Sequence, residues 1–273
     1  WYIPVETPSG PQVLFFDTGY ARTTCDDALV RSLDLPVRGR SRIRGEVGAT
    51  VARHTRVPTL RFGEHRVTGA RCQVRDLGST SSITDPTEGP VAGVLGIDVL
   101  RRFVVVIDPV AATLTLRRPT RRPAAHHRMR REGGVGPRML VAVEVDGHRL
   151  RPVLDTGADQ TWVRGAGADL VAAQVREGVR VRGTGVPGGQ VRTLRYYHVP
   201  ELGFGGQIAR DLVFIERSRP WWSDGLLGLD VIGQFRGTYD FPHRRFALEP
   251  VDAERAPAWD PGQATPAAIS SGW

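Results

Sequence analysis

The feature that most constrains the fold of this 273-residue chain is an internal duplication. Five short segments recur in the same order, at an offset of 138 residues (155 − 17), then 142 (199 − 57), then 132 (227 − 95). The matching segments are 5–6 and 143–144, 13–19 and 151–157, 42–45 and 180–183, 57–63 and 199–205, and 95–103 and 227–235. Because the order is kept and the offset changes only between segments, the sequence predicts two similar halves that differ by insertions.

Within each half, the residue pattern indicates short β-strands. Segments rich in Val, Leu, Ile and Phe are separated by Gly and Pro, of which the chain has 32 and 20, and these residues favour turns. Residues 102–118 contain two strand-like runs, and residues 139–155 predict a hairpin that turns at Asp146-Gly147. Helices are expected only around 25–33, 98–103 and 230–235. The predicted fold is all-β, with two similar lobes and a few short helices.

The duplication also predicts the domain boundaries. Residues 1–118 form an N-terminal lobe and residues 138–250 a C-terminal lobe. Residues 119–137 are rich in Arg, Pro and Gly and lack apolar periodicity, which is typical of a linker. Residues 251–273 have the composition of a mobile tail.

The chain is strongly basic, with a net charge of +8, and all 37 basic residues are Arg. Such a charge favours anionic partners through long-range attraction. Arg38, Arg40, Arg42 and Arg44 alternate along one predicted strand and so share a face. No aromatic residues interleave them, which favours a solvated face, and no nucleic acid partner is expected. No apolar run approaches the roughly 18 residues that a transmembrane helix needs, so no membrane span is expected.

The tripeptide Asp-Thr-Gly occurs at corresponding points of the two halves, at 17–19 and 155–157. Each copy follows an apolar strand, and each is followed later by two apolar residues and Gly, at 94–96 and 226–228. A single acid at the end of a buried strand is costly to bury. A pseudo-two-fold axis would bring the two acids together, and carboxyls that close share one proton because both cannot ionise.

These residues resemble the aspartic peptidases of the retropepsin and pepsin group, with both lobes in one chain. The sequence DTGADQTWV at 155–163 is similar to the active-site loop of retroviral proteases and, through Trp162, to that of pepsins. The resemblance covers about 1–118 and 138–250. It implies a bilobal acid-protease fold, built from two pseudo-two-fold-related retropepsin-like β-barrel lobes with short helices. It also implies an aspartic-type endopeptidase that needs no cofactor and no metal ion.

The resemblance implies that Asp17 and Asp155 are catalytic and hold a water molecule between them. The ionised carboxylate would act as general base on that water, while the protonated one hydrogen-bonds the scissile carbonyl. Threonines would hydrogen-bond across the two loops, and glycines would let the backbone and the substrate approach closely. These supporting residues are Thr18, Gly19, Thr156 and Gly157.

In this family a β-hairpin flap closes over the substrate. Residues 45–50 and 183–190 occupy the flap positions, and neither contains the Tyr of pepsin flaps, which favours the retropepsin side. An extended polypeptide would bind beneath the flaps through main-chain hydrogen bonds, and the chain would be a monomer with an intramolecular pseudo-dimer. The predicted substrate-binding residues are Tyr20, Arg22, Val47, Gly48, Ala158, Asp159, Val186 and Gly188.

Two positions depart from the family pattern. Tyr20 stands where Ala or Ser is usual, and its ring would narrow the cleft or make the lobes unequal. Neither Tyr20 nor Ala158 provides the Ser or Thr hydroxyl that can follow Asp-Thr-Gly, so one hydrogen bond that would stabilise the ionised dyad is missing. We therefore predict a pH optimum of about 4–6, less acidic than is typical of pepsin-like enzymes.

Four further residues have expected roles. Asp98 and Asp230 each precede a predicted short helix and are expected to cap its N-terminus. Cys25 and Cys72 lie in the same lobe, and the sequence leaves open whether they form a disulfide.

The family resemblance and the absence of a leader predict secretion or a place in the cell envelope.

Two other functions stay open from the sequence. One is a non-catalytic peptide- or protein-binding member of the same fold, in which Tyr20 or the flaps block turnover. The other is a basic surface-binding protein in which the arginine face at 38–44 is the working part.

Overall fold

The structure is a computed structural model that describes residues 1–45, 48–77, 91–131, 138–174, 178–183, 192–217, 223–251 and 268–269. Its strands are β1 Tyr2–Thr7, β2 Gly10–Phe16, β3 Thr24–Asp26, β4 Arg40–Gly45, β5 Gly48–Phe62, β6 His65–Arg75, β7 Gly93–Leu95, β8 Val104–Asp108, β9 Thr113–Arg117, β10 His127–Arg128, β11 Arg130–Arg131, β12 Met139–Leu140, β13 Val143–Val145, β14 His148–Leu150, β15 Val153–Leu154, β16 Trp162–Val163, β17 Gly178–Gly183, β18 Arg192–Phe204, β19 Gln207–Glu216, β20 Gly225–Leu227, β21 Phe235–Asp240, β22 Arg245–Pro250 and β23 Ala268–Ile269. Its helices are α1 Asp27–Ser32, α2 Ile97–Leu100, α3 Ala166–Gln174 and α4 Leu229–Ile232. The prediction of a bilobal, mostly β fold is confirmed.

The first lobe is a closed barrel. Its seven strands lie in the order β1-β2-β7-β3-β6-β5-β4, and β1 also pairs with β5 through Glu6 and Arg61, which closes six of them into a ring. Apolar side chains point into this ring because successive residues of a strand face opposite sides. Leu14, Phe16 and Leu60 are almost completely buried there.

The second lobe repeats the same strand pairings in a more open sheet. Its main path runs β11-β12-β15-β20-β16-β19-β18-β13-β14, and β17 pairs with β18. The hairpin predicted at Asp146-Gly147 is confirmed: β13 and β14 pair from Val143–Leu150 to Val145–His148. Both turn residues have positive φ (46° and 77°), as a tight two-residue hairpin turn requires.

A third sheet joins the two lobes, in the order β10-β22-β21-β8-β9-β23. At its centre, β8 of the first lobe lies antiparallel to β21 of the second, and Val106 pairs with Thr238. These residues are 132 positions apart, which is the offset that relates 95–103 to 227–235. Each of the two is therefore paired with its own duplicate, and the pseudo-two-fold axis passes between them.

The helices follow the prediction except in one place. Helices α1, α2 and α4 lie where short helices were expected. Helix α3 was not predicted, because Gly165 and Gly167 at its start weaken the helical pattern. Packing overrides that weak propensity, since Ala168 and Val171 of α3 are buried in the core.

The segment predicted to be a linker contributes to both neighbouring sheets. β10 pairs with β22, and β11 pairs with β12. Between the two strands, Met129 is buried (4% exposed) and its N–H donates to the Arg244 carbonyl at 2.9 Å. One buried apolar side chain thus fastens a segment that has no apolar periodicity. In the predicted tail, β23 pairs with β9.

The question left open for the two cysteines is answered by a disulfide. Cys25 of β3 and Cys72 of β6 are bonded, their Cα atoms are 5.6 Å apart, and both residues are buried. The bond joins two strands that also pair with each other, so it reinforces the barrel beside the first Asp-Thr-Gly loop.

Within the described part of the chain, no α-helix is long and apolar enough to cross a bilayer.

Candidate active site

Each Asp-Thr-Gly loop begins at the end of a buried parallel strand pair. In the first lobe β2 runs parallel to β7, and the Asp17 N–H donates to the Leu95 carbonyl at 3.1 Å. In the second, β15 runs parallel to β20, and the Asp155 N–H donates to the Leu227 carbonyl at 3.0 Å. The apolar-apolar-Gly motif of each half is therefore the neighbour of the strand that carries its acid.

The two loops meet, and the carboxyl groups of Asp17 and Asp155 lie close enough for each to change the pKa of the other. Each carboxyl also lies against the glycine of the opposite loop. A Cβ atom on Gly19 would overlap the Asp155 carboxyl, and one on Gly157 would overlap the Asp17 carboxyl. Only glycine at these two positions leaves room for the acids to touch.

Four hydrogen bonds between the threonines and the opposite loop hold the contact together, and we call this set the threonine lattice. The Thr18 N–H donates to Thr156 Oγ1 at 3.1 Å, and the Thr156 N–H donates to Thr18 Oγ1 at 3.0 Å. The Thr18 hydroxyl donates to the Leu154 carbonyl (2.8 Å), and the Thr156 hydroxyl donates to the Phe16 carbonyl (3.4 Å). Both threonines are buried, so the lattice is shielded from water.

Burial and proximity govern the ionisation of the two acids. Burial raises the pKa of Asp17, and hydrogen bonds from Asp155 and from the Tyr20 N–H oppose that rise. Burial also raises the pKa of Asp155 well above its usual range, and the nearby Asp17 charge adds to the effect. The pair therefore keeps one proton at pH values where isolated carboxyls have lost theirs.

The predicted substrate-binding residues next to the acids differ between the lobes. The Tyr20 N–H donates to Asp17 Oδ1 at 2.9 Å, while its hydroxyl accepts from Arg75 Nη1 at 2.7 Å. The Tyr20 hydroxyl is thus engaged away from the dyad. Arg22 is exposed. At the equivalent places in the second lobe, Ala158 is half-buried and Asp159 is exposed.

Both predicted flaps are β-hairpins where the structure describes them. β4 pairs with β5 up to Gly45 and Gly48, and β17 pairs with β18 up to Gly183 and Arg192. Gly48 is therefore the first residue of β5. The predicted contact residues Val47, Val186 and Gly188 lie outside the described residues.

The expectation that Asp98 and Asp230 cap helices was wrong. Helices α2 and α4 begin at Ile97 and Leu229, one residue before each acid, and their N-cap residues, Gly96 and Gly228, make no side-chain capping bond. Each Asp lies inside the first turn, where its carboxylate accepts from the N–H of the next residue, Val99 or Val231, both at 3.0 Å.

Asp98 and Asp230 instead tie each helix to the loop beside it. Asp98 Oδ1 accepts from the N–H and the hydroxyl of Thr23, both at 2.8 Å. Asp230 accepts from the N–H and the hydroxyl of Thr161, at 3.0 and 2.7 Å. The prediction missed the two threonines, although both follow Asp-Thr-Gly at the same distance in the two halves.

The described residues offer little for a metal ion. Across the described ranges, no group of three or more His, Cys, Asp or Glu side chains is placed to hold one. The arrangement that the site offers is two carboxyls close together, with Asp17 buried, that can share one proton.

Two similar β lobes that bring paired Asp-Thr-Gly loops into contact define the class of bilobal acid proteases. The sequence profile of the aspartyl protease family matches residues 4–99 and 141–231, once in each lobe and over more than half of the chain. The chain belongs to the aspartyl protease family. No curated protein matches the sequence.

The threonine lattice predicts a specific stability effect. Thr18→Val would leave the buried Thr156 N–H without its acceptor and the Leu154 carbonyl without its donor. Because each orphaned buried group costs about 1–3 kcal/mol, the free energy of unfolding should fall by about 2–4 kcal/mol. Thr18→Ser keeps the hydroxyl and should cost less than about 1.5 kcal/mol. Urea unfolding compares the two, and equal losses would contradict a role for the hydroxyl.

The burial of Asp230 predicts that the free energy of unfolding depends on pH. Burial raises its pKa to about 6, against the hydrogen bonds from Thr161. The folded protein therefore holds this proton up to a higher pH than the unfolded chain does, so the unfolding free energy should fall as the pH rises from about 4 to 6.

Asp230→Asn should remove this part of the pH dependence. Between about pH 4 and 6, the unfolding free energy of the wild type should fall by about 2–3 kcal/mol more than that of the variant. This follows because a pKa difference of one unit corresponds to about 1.4 kcal/mol. Chemical unfolding at several pH values measures it, and Asp98→Asn makes the matched change in the first lobe. Identical slopes for wild type and Asp230→Asn would show that burial of Asp230 does not govern its titration.

Proposed function

We propose that the protein is an aspartic endopeptidase of the retropepsin-like type, which hydrolyses peptide bonds through a water molecule activated by Asp17 and Asp155. The observation that carries this proposal is the contact between the two carboxyls across the lobe boundary. Membership of the aspartyl protease family supports the same reaction class.

In the proposed mechanism the singly protonated dyad does both parts of the acid–base work. Its ionised carboxylate takes a proton from the water as the oxygen attacks the scissile carbonyl carbon, and its protonated carboxyl hydrogen-bonds the carbonyl oxygen. The tetrahedral intermediate then collapses, the C–N bond breaks, and the leaving amine takes up a proton from the dyad. No covalent bond to the enzyme forms, and the two acids act as a pair.

The rest of the site supports this chemistry by fixing the carboxyls. The threonine lattice and the close approach of Gly19 and Gly157 hold the two groups in one arrangement, so little reorganisation is needed as charge develops. The two hairpins β4–β5 and β17–β18 occupy equivalent places, which supports a cleft covered by two flaps around an extended polypeptide.

We further propose that the protein works outside the reducing cytosol, in secretion or in the cell envelope. The buried Cys25–Cys72 disulfide supports this, because such bonds form and persist in oxidising compartments.

Replacing either acid tests the mechanism. Asp17→Asn or Asp155→Asn should lower peptide cleavage by at least about 10³-fold, since an amide can neither share the proton nor act as base. Folding should survive, because the amide keeps the shape and the hydrogen bonds of the acid. Cleavage of a mixed peptide library measures activity, and Asp34→Asn at an exposed position is the matched control. Full activity in both dyad variants would contradict this mechanism, whereas no cleavage by the wild type would leave a binding role for the fold.

The pH profile tests how the dyad is tuned. Because Ala158 has no hydroxyl and that of Tyr20 is bound to Arg75, neither residue that follows Asp-Thr-Gly donates a hydroxyl to the ionised dyad, and activity should peak at about pH 4–6. Ala158→Ser adds a donor beside Asp155 and should move the acid limb to lower pH by up to about one unit. Rates measured across the acid range test this, and a wild-type optimum at about pH 2 would contradict it.

A further inference from the structure

Residues 117–131 form an exposed basic segment, which we call the arginine strap. Seven of its 15 residues are Arg and none is acidic, whereas the whole chain has 37 basic and 29 acidic residues in 273. All seven arginines are exposed: Arg117, Arg118, Arg121, Arg122, Arg128, Arg130 and Arg131. The strap therefore concentrates positive charge well beyond the average of the chain.

This charge is not neutralised within the part of the protein that the structure describes. The ion pairs there involve other arginines, such as Arg53, Arg195 and Arg236, and none reaches the strap. Arg128 even lies directly across from Arg245 in the β10–β22 pair. Like charges opposite each other destabilise a sheet, so this pairing gains from an external anion.

The strap is held in place and is not a loose connection. The Ala124 N–H donates to the buried carboxylate of Asp240 at 2.8 Å, and Arg245 Nη1 donates to the His126 carbonyl at 2.9 Å. In addition, β10 is paired with β22 and β11 is paired with β12. Because the backbone is already ordered, binding a partner would cost little conformational entropy.

The middle of the strap lies beside the turn that ends β18, and the flap hairpin lies at the other end of that strand. β18 starts at that hairpin and runs for 13 residues, about 40 Å of extended chain, to the turn at Gly205-Gly206. The His127 ring packs beside this turn, with its centroid 5.2 Å from that of Phe246. A partner bound there would leave the flap and the cleft beneath it accessible.

We propose that the arginine strap binds the surface of an anionic phospholipid membrane. A protein interface usually combines arginine contacts with large aromatic anchors, and residues 117–131 contain no Trp, Tyr, Phe, Leu, Ile or Val. A single-stranded nucleic acid would need aromatic rings on which its bases can stack, and the two rings of the strap, His126 and His127, already pack on each other and on Phe246. A layer of phosphate headgroups needs only spaced guanidinium groups, which bind phosphate oxygens well.

The test uses the full chain and sedimentation with vesicles. Vesicles of phosphatidylcholine with about 30% phosphatidylglycerol should bind the protein at about 0.1 M salt, and pure phosphatidylcholine vesicles should not. A strap variant (R118Q, R121Q, R122Q and R128Q together) should bind at least about 100-fold more weakly, since each arginine contributes about fivefold. The dyad variant Asp17→Asn should bind like the wild type, which separates this proposal from the proposed peptidase activity.

A control with the same net charge makes the result specific. R38Q, R40Q, R61Q and R71Q together remove four exposed arginines of the first lobe, so both variants carry a net charge of +4. The control should keep most of the wild-type vesicle binding, and both variants should still cleave a neutral peptide. Equal loss in the two variants would overturn the proposal, because net charge alone would then explain binding.

Two other outcomes would also overturn it. One is the absence of binding to the anionic vesicles at about 0.1 M salt. The other is tighter binding of the wild type to duplex DNA or to polyglutamate than to the vesicles, which would assign the strap to another class of polyanion.

Discussion

Two carboxyl groups in contact inside a protein repel each other when both are ionised, and burial makes even one charge costly. The fold must hold Asp17 and Asp155 together against this tendency. The threonine lattice does so with four buried hydrogen bonds, each of which crosses from one lobe to the other. A proton kept by the pair removes the repulsion that remains, because only one of the two carboxyls is then ionised.

Successive layers of structure support this contact. The parallel strand pairs β2–β7 and β15–β20 place the start of each loop, and Asp98 and Asp230 fasten the end of each loop to a short helix. The lobe-joining sheet then sets the two halves about one axis, where Val106 pairs with its duplicate Thr238. Each layer thus contributes to the position of the acids, in the same way in both halves.

The sequence predicted the parts of the structure that repeat. The duplication, the two acids, the hairpin at Asp146-Gly147 and three short helices could all be inferred from spacing and composition. Helix α3 could not, because its stability comes from packing and not from propensity. The role of Asp98 and Asp230 was missed because their partners, Thr23 and Thr161, are distant in sequence. The Cys25–Cys72 pairing likewise depends on which strands become neighbours.

Joining both lobes in one chain allowed the halves to diverge, and Tyr20 and Ala158 show that they have. One side of the dyad carries an aromatic ring bound to Arg75, and the other carries a methyl group. A homodimer offers the same surroundings on each side of its axis, but this protein does not. An inhibitor with two identical halves would meet different side chains on the two sides of the dyad. It would therefore bind in a single orientation, with one half poorly matched.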